Sequence, residues 1–523
     1  MNNKRKTFVL AILDGWGYSK KKIGNPIAAA QTPNMDMFSK KYPMVLLQAS
    51  GLAVGMTWGE SGNSEVGHLN IGAGRIVEQY LSRINRDIQD NSFFQNSALV
   101  DSIAHAKKNN SKLHLIGLLT SGTAHADFSH ILALLDLASR NDLKNVSMHL
   151  FLDGKDSGLN EAPELLLKLK DGIRNYGYEN IITTLAGRNY AMDRDNNWDL
   201  TKEAYELISE GKGSVDSDFI SLISANYSRG LNDSNMKPIV ADHDFKGIKD
   251  ADSLVFFNFR EDSMRQIIRP FVEDGFSLFK SKQFNDLYVC TMTEYLRGSR
   301  SHVAFLPPSV PNNLAEVLQL NGKTQLHIAE TEKYAHVTYF FNGLRDGELV
   351  GEVDVFIDSN KDHKSAPEMK SAEIANRVID YLESSLYDFI VLNLANADML
   401  AHTGSYDVTL AGVEAVDRAL GRIFSKLIEK EAILIVTADH GNAESLVYRG
   451  SGEEETRHDD SPVPLYLIGR EYEIEKSNSR ITEETSSVAG ILGDVAPTIL
   501  ELMGIPKPPD MTGKSLIELL VKN

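Results

Sequence analysis

The chain has 523 residues, with 54 basic and 72 acidic side chains for a formal charge of −18, and 42% of its residues are hydrophobic. That length calls for about two to four domains, and the apolar share excludes a disordered chain. So acidic a surface repels nucleic acid and anionic membrane, yet it leaves room for a local basic pocket around an anionic substrate. The single cysteine, Cys290, excludes an intrachain disulfide and fits a reducing compartment. The apolar run from Phe8 to Leu13 is too short for a signal core and stops at Asp14. No segment reaches the roughly 20 apolar residues of a membrane helix. These features read as a cytoplasmic protein with no nucleic-acid or membrane partner.

In chain order, short apolar runs predict strands at 7–13, 113–119, 146–152, 181–186, 254–259, 287–292, 388–394 and 432–437. Helical periods predict helices at 163–174, 371–383, 410–428 and 495–503, the last after an N-cap neighbourhood at Gly493-Asp494. The alternation defines an α/β fold. Three prolines in Leu306-Pro-Pro-Ser-Val-Pro311 mark a linker, because they cannot continue a helix or a central strand. No internal repeat interrupts the pattern.

Three acidic positions follow three predicted strands: Asp14, Asp398 and Asp439. Ligands bind at the carboxyl edge of open α/β sheets, so if these strands are neighbours the three aspartates converge. Asp398 and His402 are four apart and share a helix face. His440 adjoins Asp439, and His458 precedes a further apolar run. Carboxylate with imidazole and no thiolate suits Mn, Zn or Fe and excludes a cysteine-zinc site. Any one pair is weak, since a lone histidine is usually structural, but three strand-end clusters reinforce one another.

The run Gly59-Glu-Ser-Gly-Asn-Ser-Glu-Val-Gly-His-Leu-Asn-Ile-Gly-Ala-Gly-Arg75 is dense in glycine and small polar residues. It reads as a tight turn whose amides can meet an anion. It offers Ser61 and Ser64 as nucleophiles, each of which needs a base or a metal for activation. Arg188, Arg194 and Arg260 each follow a strand-like run or a turn, and arginine grips phosphate and carboxylate with two parallel bonds. Surface ion pairs are the ordinary fate of such arginines, as solvation is of Lys333.

Seven segments resemble the cofactor-independent phosphoglycerate mutases. They are Leu13-Asp-Gly-Trp-Gly17, Gly62-Asn-Ser-Glu-Val-Gly-His68, Ala191-Met-Asp-Arg-Asp195, Ala329-Glu-Thr-Glu-Lys-Tyr-Ala-His-Val337, Asp398 to Gly404, Thr437-Ala-Asp-His-Gly-Asn442 and Asp494-Val-Ala-Pro-Thr-Ile499. The resemblance implies an alkaline-phosphatase-like metal domain from 1–78 and 312–523, interrupted by an inserted α/β phosphotransferase domain at 79–306 with the linker at 307–311. It implies two divalent ions, Mn²⁺ first among them. One is held by Asp398, His402 and His458, the other by Asp14, Ser64, Asp439 and His440. It makes Ser64 the residue that carries phosphate and Lys333 its catalytic companion. His125, Lys155, Asp156, Arg188, Arg194 and Arg260 fall on the substrate positions. The implied reaction interconverts 3-phosphoglycerate and 2-phosphoglycerate in a monomer, with a metal-dependent phosphatase as the alternative.

Several positions depart from the family pattern: Ser121 replaces an aspartate, Asp127 a histidine, Lys155 and Ser263 arginines, and Thr57-Trp-Gly-Glu-Ser61 stands where Pro-x-Gly-Gln-Met is usual. Serine at 263 supplies one neutral hydrogen bond in place of a charged fork. Arg265, two residues on, points about 200° away on a helix and is not expected to reach the same spot.

Overall fold

A computed structural model describes residues 6–447 and 455–521. The chain forms two compact units, Met1–Gln79 with Pro308–Asn523, and Tyr80–Pro307. Each is built on its own eight-stranded sheet with its own hydrophobic core.

In the first unit the sheet runs, edge to edge, Glu352–Ile357, Gln325–Glu330, Phe389–Leu394, Phe8–Leu13, Ile433–Thr437, Val463–Ile468, Met44–Gln48 and Val488–Ile491. The first five strands are mutually parallel, and Val463–Ile468 runs against both of its neighbours. The three central strands are buried at every position. This explains their unbroken apolar reading: parallel strands covered on both faces show no alternation. Each Leu or Ile buried this way contributes about 1.5–3 kcal/mol relative to exposure. Long helices Ser371–Ser384 and Tyr406–Lys430 supply amphipathic cover.

In the second unit the order is His302–Phe305, Tyr288–Thr293, Ser253–Phe256, Leu113–Leu119, Val146–Leu152, Ile182–Gly187, Ile239–Val240 and Ser214–Val215. All its pairings are parallel except that of Ile182–Gly187 with Ile239–Val240.

The strand expected at 254–259 ends early, at Phe256. The side chain of Asn258 accepts the Leu118 N–H at 2.9 Å in place of a backbone carbonyl, and the Phe259 N–H turns to the His125 carbonyl. Strands Gln325–Glu330 and Glu352–Ile357 carry His327, Glu330 and Asp354 among their apolar residues, which hid them from an apolar-run reading. The helix Val495–Leu502 has Asp494 at its N-cap, but that side chain makes no capping bond. Its oxygens instead accept the Ile491 and Lys514 N–H groups.

Candidate active site

Strands Phe389–Leu394, Phe8–Leu13 and Ile433–Thr437 lie side by side and parallel, with Phe8–Leu13 in the middle. Their carboxyl ends therefore deliver Asp398, Asp14 and Asp439 to one edge, and the neighbouring strand Gln325–Glu330 delivers Lys333. Asp14 leaves its strand through Gly15, at a φ of +69°, where an added Cβ would lie 2.8 Å from the Asp398 side chain. Only glycine allows that close passage.

The glycine-rich run expected as a turn instead forms the helix Ser64–Ala73, buried throughout except at Glu65. Glycine here answers to packing rather than to flexibility: a Cβ on Gly67 would stand 2.4 Å from the Asp439 carbonyl oxygen. Ser64 is the first residue of that helix, and the Asn63 side chain caps it by accepting the Val66 N–H at 2.9 Å. The Ser64 hydroxyl is thus placed at the positive end of a helix dipole. It donates to Asp14 Oδ1 at 3.0 Å, accepts from Lys333 Nζ at 2.6 Å and lies 3.0 Å from His440 Nε2. The Lys333 ammonium also reaches Asp14 Oδ1 at 2.6 Å and Asp398 Oδ2 at 2.7 Å.

Two further histidines close the other side. His402 Nδ1 donates to the Thr456 carbonyl and His458 Nδ1 to the Gly62 carbonyl, each at 2.8 Å. Those bonds fix both tautomers and leave the two Nε2 lone pairs facing each other at 3.0 Å, each 3.3 Å from Asp398 Oδ1. Three acceptors converge here, and the Asn442 amide, at 2.8 Å from Asp398 Oδ1, satisfies only one of them, so together they make a cation cradle. Asp439 Oδ2 is a fourth such atom. It lies 3.2 Å from His68 Nδ1 but accepts no hydrogen bond, because that nitrogen donates to the Ser64 carbonyl at 2.8 Å. The residues therefore fit divalent ions: Asp398, His402 and His458 form one candidate set, and Asp14, His68 and Asp439 and Asp14, Asp398 and His440 form two more at the same edge.

The charges agree. Burial works against ionised Asp398, yet the Lys333 ammonium with His402 and His458 holds its carboxyl well below the usual range. Burial works against charged His440 as well, but Asp439 and Asp14 push it up to about 10. The Asp398 carboxylate beside the His402 Nε2 favours the protonated ring and raises its pKa. The whole edge attracts positive charge.

In the other unit a second cluster forms at a carboxyl sheet edge. Arg188 follows Ile182–Gly187 directly, and its Nη1 reaches Asp153 at 2.6 Å and Asp156 at 2.5 Å. Its Nη2 donates to His125 Nε2 at 3.0 Å. A guanidinium cannot accept, so His125 Nε2 is the acceptor and Nδ1 carries the proton, which it donates to Ser263 Oγ at 3.0 Å. Burial, then Arg188, lowers the imidazole to about 4, so His125 stays neutral. Asp262 accepts from Arg194 at 2.6 Å, lies 3.2 Å from Arg260 and 3.9 Å from His125, and so joins both arginines to the group. Lys155 is exposed, and only its backbone N–H bonds to Asp153, so its ammonium stands apart from the cluster.

Three of the departures from the family pattern, Ser263, Asp127 and Ser121, have side-chain contacts of their own. Ser263 is buried against His125, not facing solvent in an arginine's place. Asp127 caps the helix Phe128–Arg140 by accepting the Ser129 N–H at 2.7 Å. Ser121 donates to Glu161 at 2.6 Å. Ser263→Ala is expected to leave the His125 N–H buried without a partner, at a cost of about 1–3 kcal/mol. That should raise KM for the substrate by roughly tenfold while metal affinity is unchanged. Steady-state kinetics beside metal titration check it, and an unchanged KM refutes it.

Several residues of both clusters escape a reading of the sequence. His68 lies one helical turn beyond Ser64, a spacing that is available as a signal. Asn393, whose amide donates to Asp14 Oδ2 at 2.6 Å and lies 3.0 Å from His68 Nε2, ends an apolar strand and carries none. Asn442 donates to Asp398 Oδ1 at 2.8 Å. Glu444 accepts the Gly17 and Asn442 N–H groups at 2.9 Å each, tying together the loops that carry Asp14 and Asp439. Burial, with Asp459 nearby, raises its carboxyl to about 7. Asp153 and Asp262 are the missed acids of the second cluster.

The fold and this edge of carboxylates and imidazoles define a metal-binding enzyme, and the chain matches the Metalloenzyme superfamily over residues 6–507. It is 41% identical over 519 residues to the 2,3-bisphosphoglycerate-independent phosphoglycerate mutase of Clostridium perfringens (strain 13 / Type A), covering 98% of this chain and 99% of that one. It is 43% identical over 534 residues to 2,3-bisphosphoglycerate-independent phosphoglycerate mutase 2 of Methanosarcina barkeri, covering 99% of each. A solved structure of Leishmania mexicana phosphoglycerate mutase at low cobalt concentration aligns over 98% of both chains, with a TM-score of 0.70 and 26% identity. The chain belongs to the family of 2,3-bisphosphoglycerate-independent phosphoglycerate mutases. The α/β architecture and the family likeness read from the motifs both hold.

Proposed function

We propose that the chain interconverts 3-phosphoglycerate and 2-phosphoglycerate without 2,3-bisphosphoglycerate, through phosphorylation of Ser64. The observation that carries this reading is the Ser64 hydroxyl, set at a helix N-terminus with Lys333, Asp14 and His440 all within 3.0 Å. Ser64 Oγ attacks phosphorus, the substrate's ester P–O bond breaks, and glycerate leaves with a proton on its freed oxygen. Asp14 Oδ1, which accepts the Ser64 hydrogen bond, takes that proton and hands it to the freed glycerate oxygen. The other glycerate hydroxyl then attacks the phosphoserine and Ser64 recovers its proton, so the phosphoryl group has moved between oxygens of one molecule.

Two divalent ions, Mn²⁺ in our reading, would be held by Asp398, His402 and His458 and by Asp14, Ser64, Asp439 and His440, lowering the hydroxyl pKa and offsetting charge on the phosphoryl oxygens. Lys333 supplies a fixed cation at the same oxygens. In the second unit Arg188, Arg194 and Arg260 offer guanidinium forks to the carboxylate and hydroxyls of glycerate. His125 and Asp156 fix the Arg188 fork, and Lys155 adds exposed positive charge.

The test is an enolase-coupled assay on 3-phosphoglycerate with no bisphosphoglycerate present, run beside a phosphate-release assay. Isomerisation should dominate. Exhaustive chelation should stop it, and Mn²⁺ should restore it. Phosphate release without isomerisation would identify a metal-dependent phosphatase instead, and full activity after chelation would refute the metal requirement.

A further inference from the structure

Asn393 is the penultimate residue of the central strand Phe389–Leu394, where it stands opposite Ile12 in the register and is fully buried. A polar side chain at that depth has to be explained by its partners. Its Nδ2 lies 2.6 Å from Asp14 Oδ2 and 3.0 Å from His68 Nε2. The orientation of the amide is forced, because its oxygen beside the carboxylate would set acceptor against acceptor. Both hydrogens of one NH₂ group are therefore donated. The Asn393 Oδ1 has no hydrogen-bond partner among the described residues. A buried acceptor without a donor costs stability, so asparagine serves this position through its nitrogen alone.

Both acceptors of that nitrogen in turn hold Ser64. With Asp14 Oδ2 bound to Asn393, Oδ1 is the oxygen that meets the Ser64 hydroxyl at 3.0 Å and Lys333 Nζ at 2.6 Å. His68 Nε2 has to accept, because an amide nitrogen only donates. The ring hydrogen therefore sits on Nδ1, which donates to the Ser64 carbonyl at 2.8 Å. One NH₂ group thus fixes the carboxylate on the Ser64 hydroxyl and the imidazole on the Ser64 carbonyl. Threonine at 393 would have one hydrogen to give and could serve one partner. Leucine has a similar size and could serve neither. Aspartate would set a further carboxylate against Asp14.

We propose that Asn393 is a positioning residue for phosphoryl transfer, setting Asp14 and His68 so that the Ser64 oxygen is held on its line of attack. The inference rests on Ser64 being the nucleophile, as proposed above. Asn393 bonds to groups around the nucleophile rather than to those assigned to glycerate, so its loss should act on kcat and not on KM. Misplacing a reacting group by about 1 Å can cost about 10²-fold in rate.

Asn393→Leu should lower kcat about 10–100-fold at saturating Mn²⁺, with KM for 3-phosphoglycerate within about twofold of wild type. Asn393→Thr should lose less, and it carries the same readouts if the leucine variant does not fold, which melting temperatures decide. Nitrogen NMR of the full-length, metal-free chain labelled in histidine gives a readout apart from activity, with the His68 signal assigned by its loss in His68→Gln. The hydrogen should be on Nδ1 in wild type and shared between the two nitrogens in Asn393→Leu. An unchanged kcat in the folded variant, a deficit that added Mn²⁺ repairs, or a His68 tautomer that the substitution leaves alone overturns this inference by itself. Wild-type turnover without phosphate on Ser64 overturns it together with the reading beneath it.

Discussion

Ser64→Ala is expected to lower isomerisation by about 10⁴-fold or more and to leave the fold intact, the usual scale for losing a covalent nucleophile. The substitution removes one oxygen and nothing else. Alanine is a good helix former, and the cap at the head of Ser64–Ala73 comes from the Asn63 side chain, which is untouched. The loss is of the atom on which Lys333, Asp14 and His440 converge. No neighbouring hydroxyl replaces it: Ser61 makes none of these contacts. Mass spectrometry of enzyme quenched in acid during turnover should place phosphate on the peptide bearing Ser64. Phosphate on Ser61, or activity within tenfold of wild type in Ser64→Ala, would sink the assignment.

The aspartates are legible in the sequence because their chemistry sits at a topological position. Each of Asp14, Asp398 and Asp439 comes after a run apolar enough to be read as a buried strand, and such strands carry the next residues of the chain to the carboxyl edge. That the three strands are adjacent can only be assumed from sequence. It rests on pairings between Phe8 and Phe389, and between Phe8 and Ile433, several hundred residues apart. The helix Ser64–Ala73 reads as a turn for a specific reason. Local propensity counts glycine against a helix, whereas Gly62 and Gly67 are glycine because the chain passes the Ala49 and Asp439 carbonyls too closely for a Cβ.

The second cluster is legible in its cations and not in its wiring. Arg188, Arg194 and Arg260 are visible as arginines near strand ends. The acids that aim them, Asp153 and Asp262, look like ordinary loop residues. Ser263 reads as the loss of a charge. Its contact with His125 spans 138 residues, and it shows the serine to be the acceptor that fixes a neutral imidazole. Asp127 is the opposite case: an aspartate directly before an apolar helical period is an N-cap signal, and the structure uses it so.

Lys333→Met is expected to lower kcat by about 10²–10³-fold, the scale of removing one fixed charge from a phosphoryl-transfer site, while divalent-ion affinity holds or rises. The lysine is 4% exposed, and its ammonium lies within 2.7 Å of Asp14, Ser64 and Asp398. Methionine keeps the length and apolar body of the chain but removes the charge. Asp14, Asp398 and Asp439 then face one another, buried, with one cation fewer. Their combined field draws divalent ions more strongly. The metal-free protein should lose stability, because carboxylates are left unpaired in a dry site. Burial works against the charged Lys333, but Asp14 and Asp398 win and raise its pKa, so it keeps its proton below the ordinary lysine range. A group with a raised pKa loses its contribution only as pH climbs through that raised value. Removing Lys333 should therefore scale activity down evenly between about pH 6 and 9, below the ordinary lysine pKa, without changing the shape of the profile. Mn²⁺ titration, melting curves with and without metal, and kcat across that range test the prediction together. Metal affinity falling in parallel with kcat would make Lys333 a support for the ion sites rather than a cation acting on the phosphoryl group.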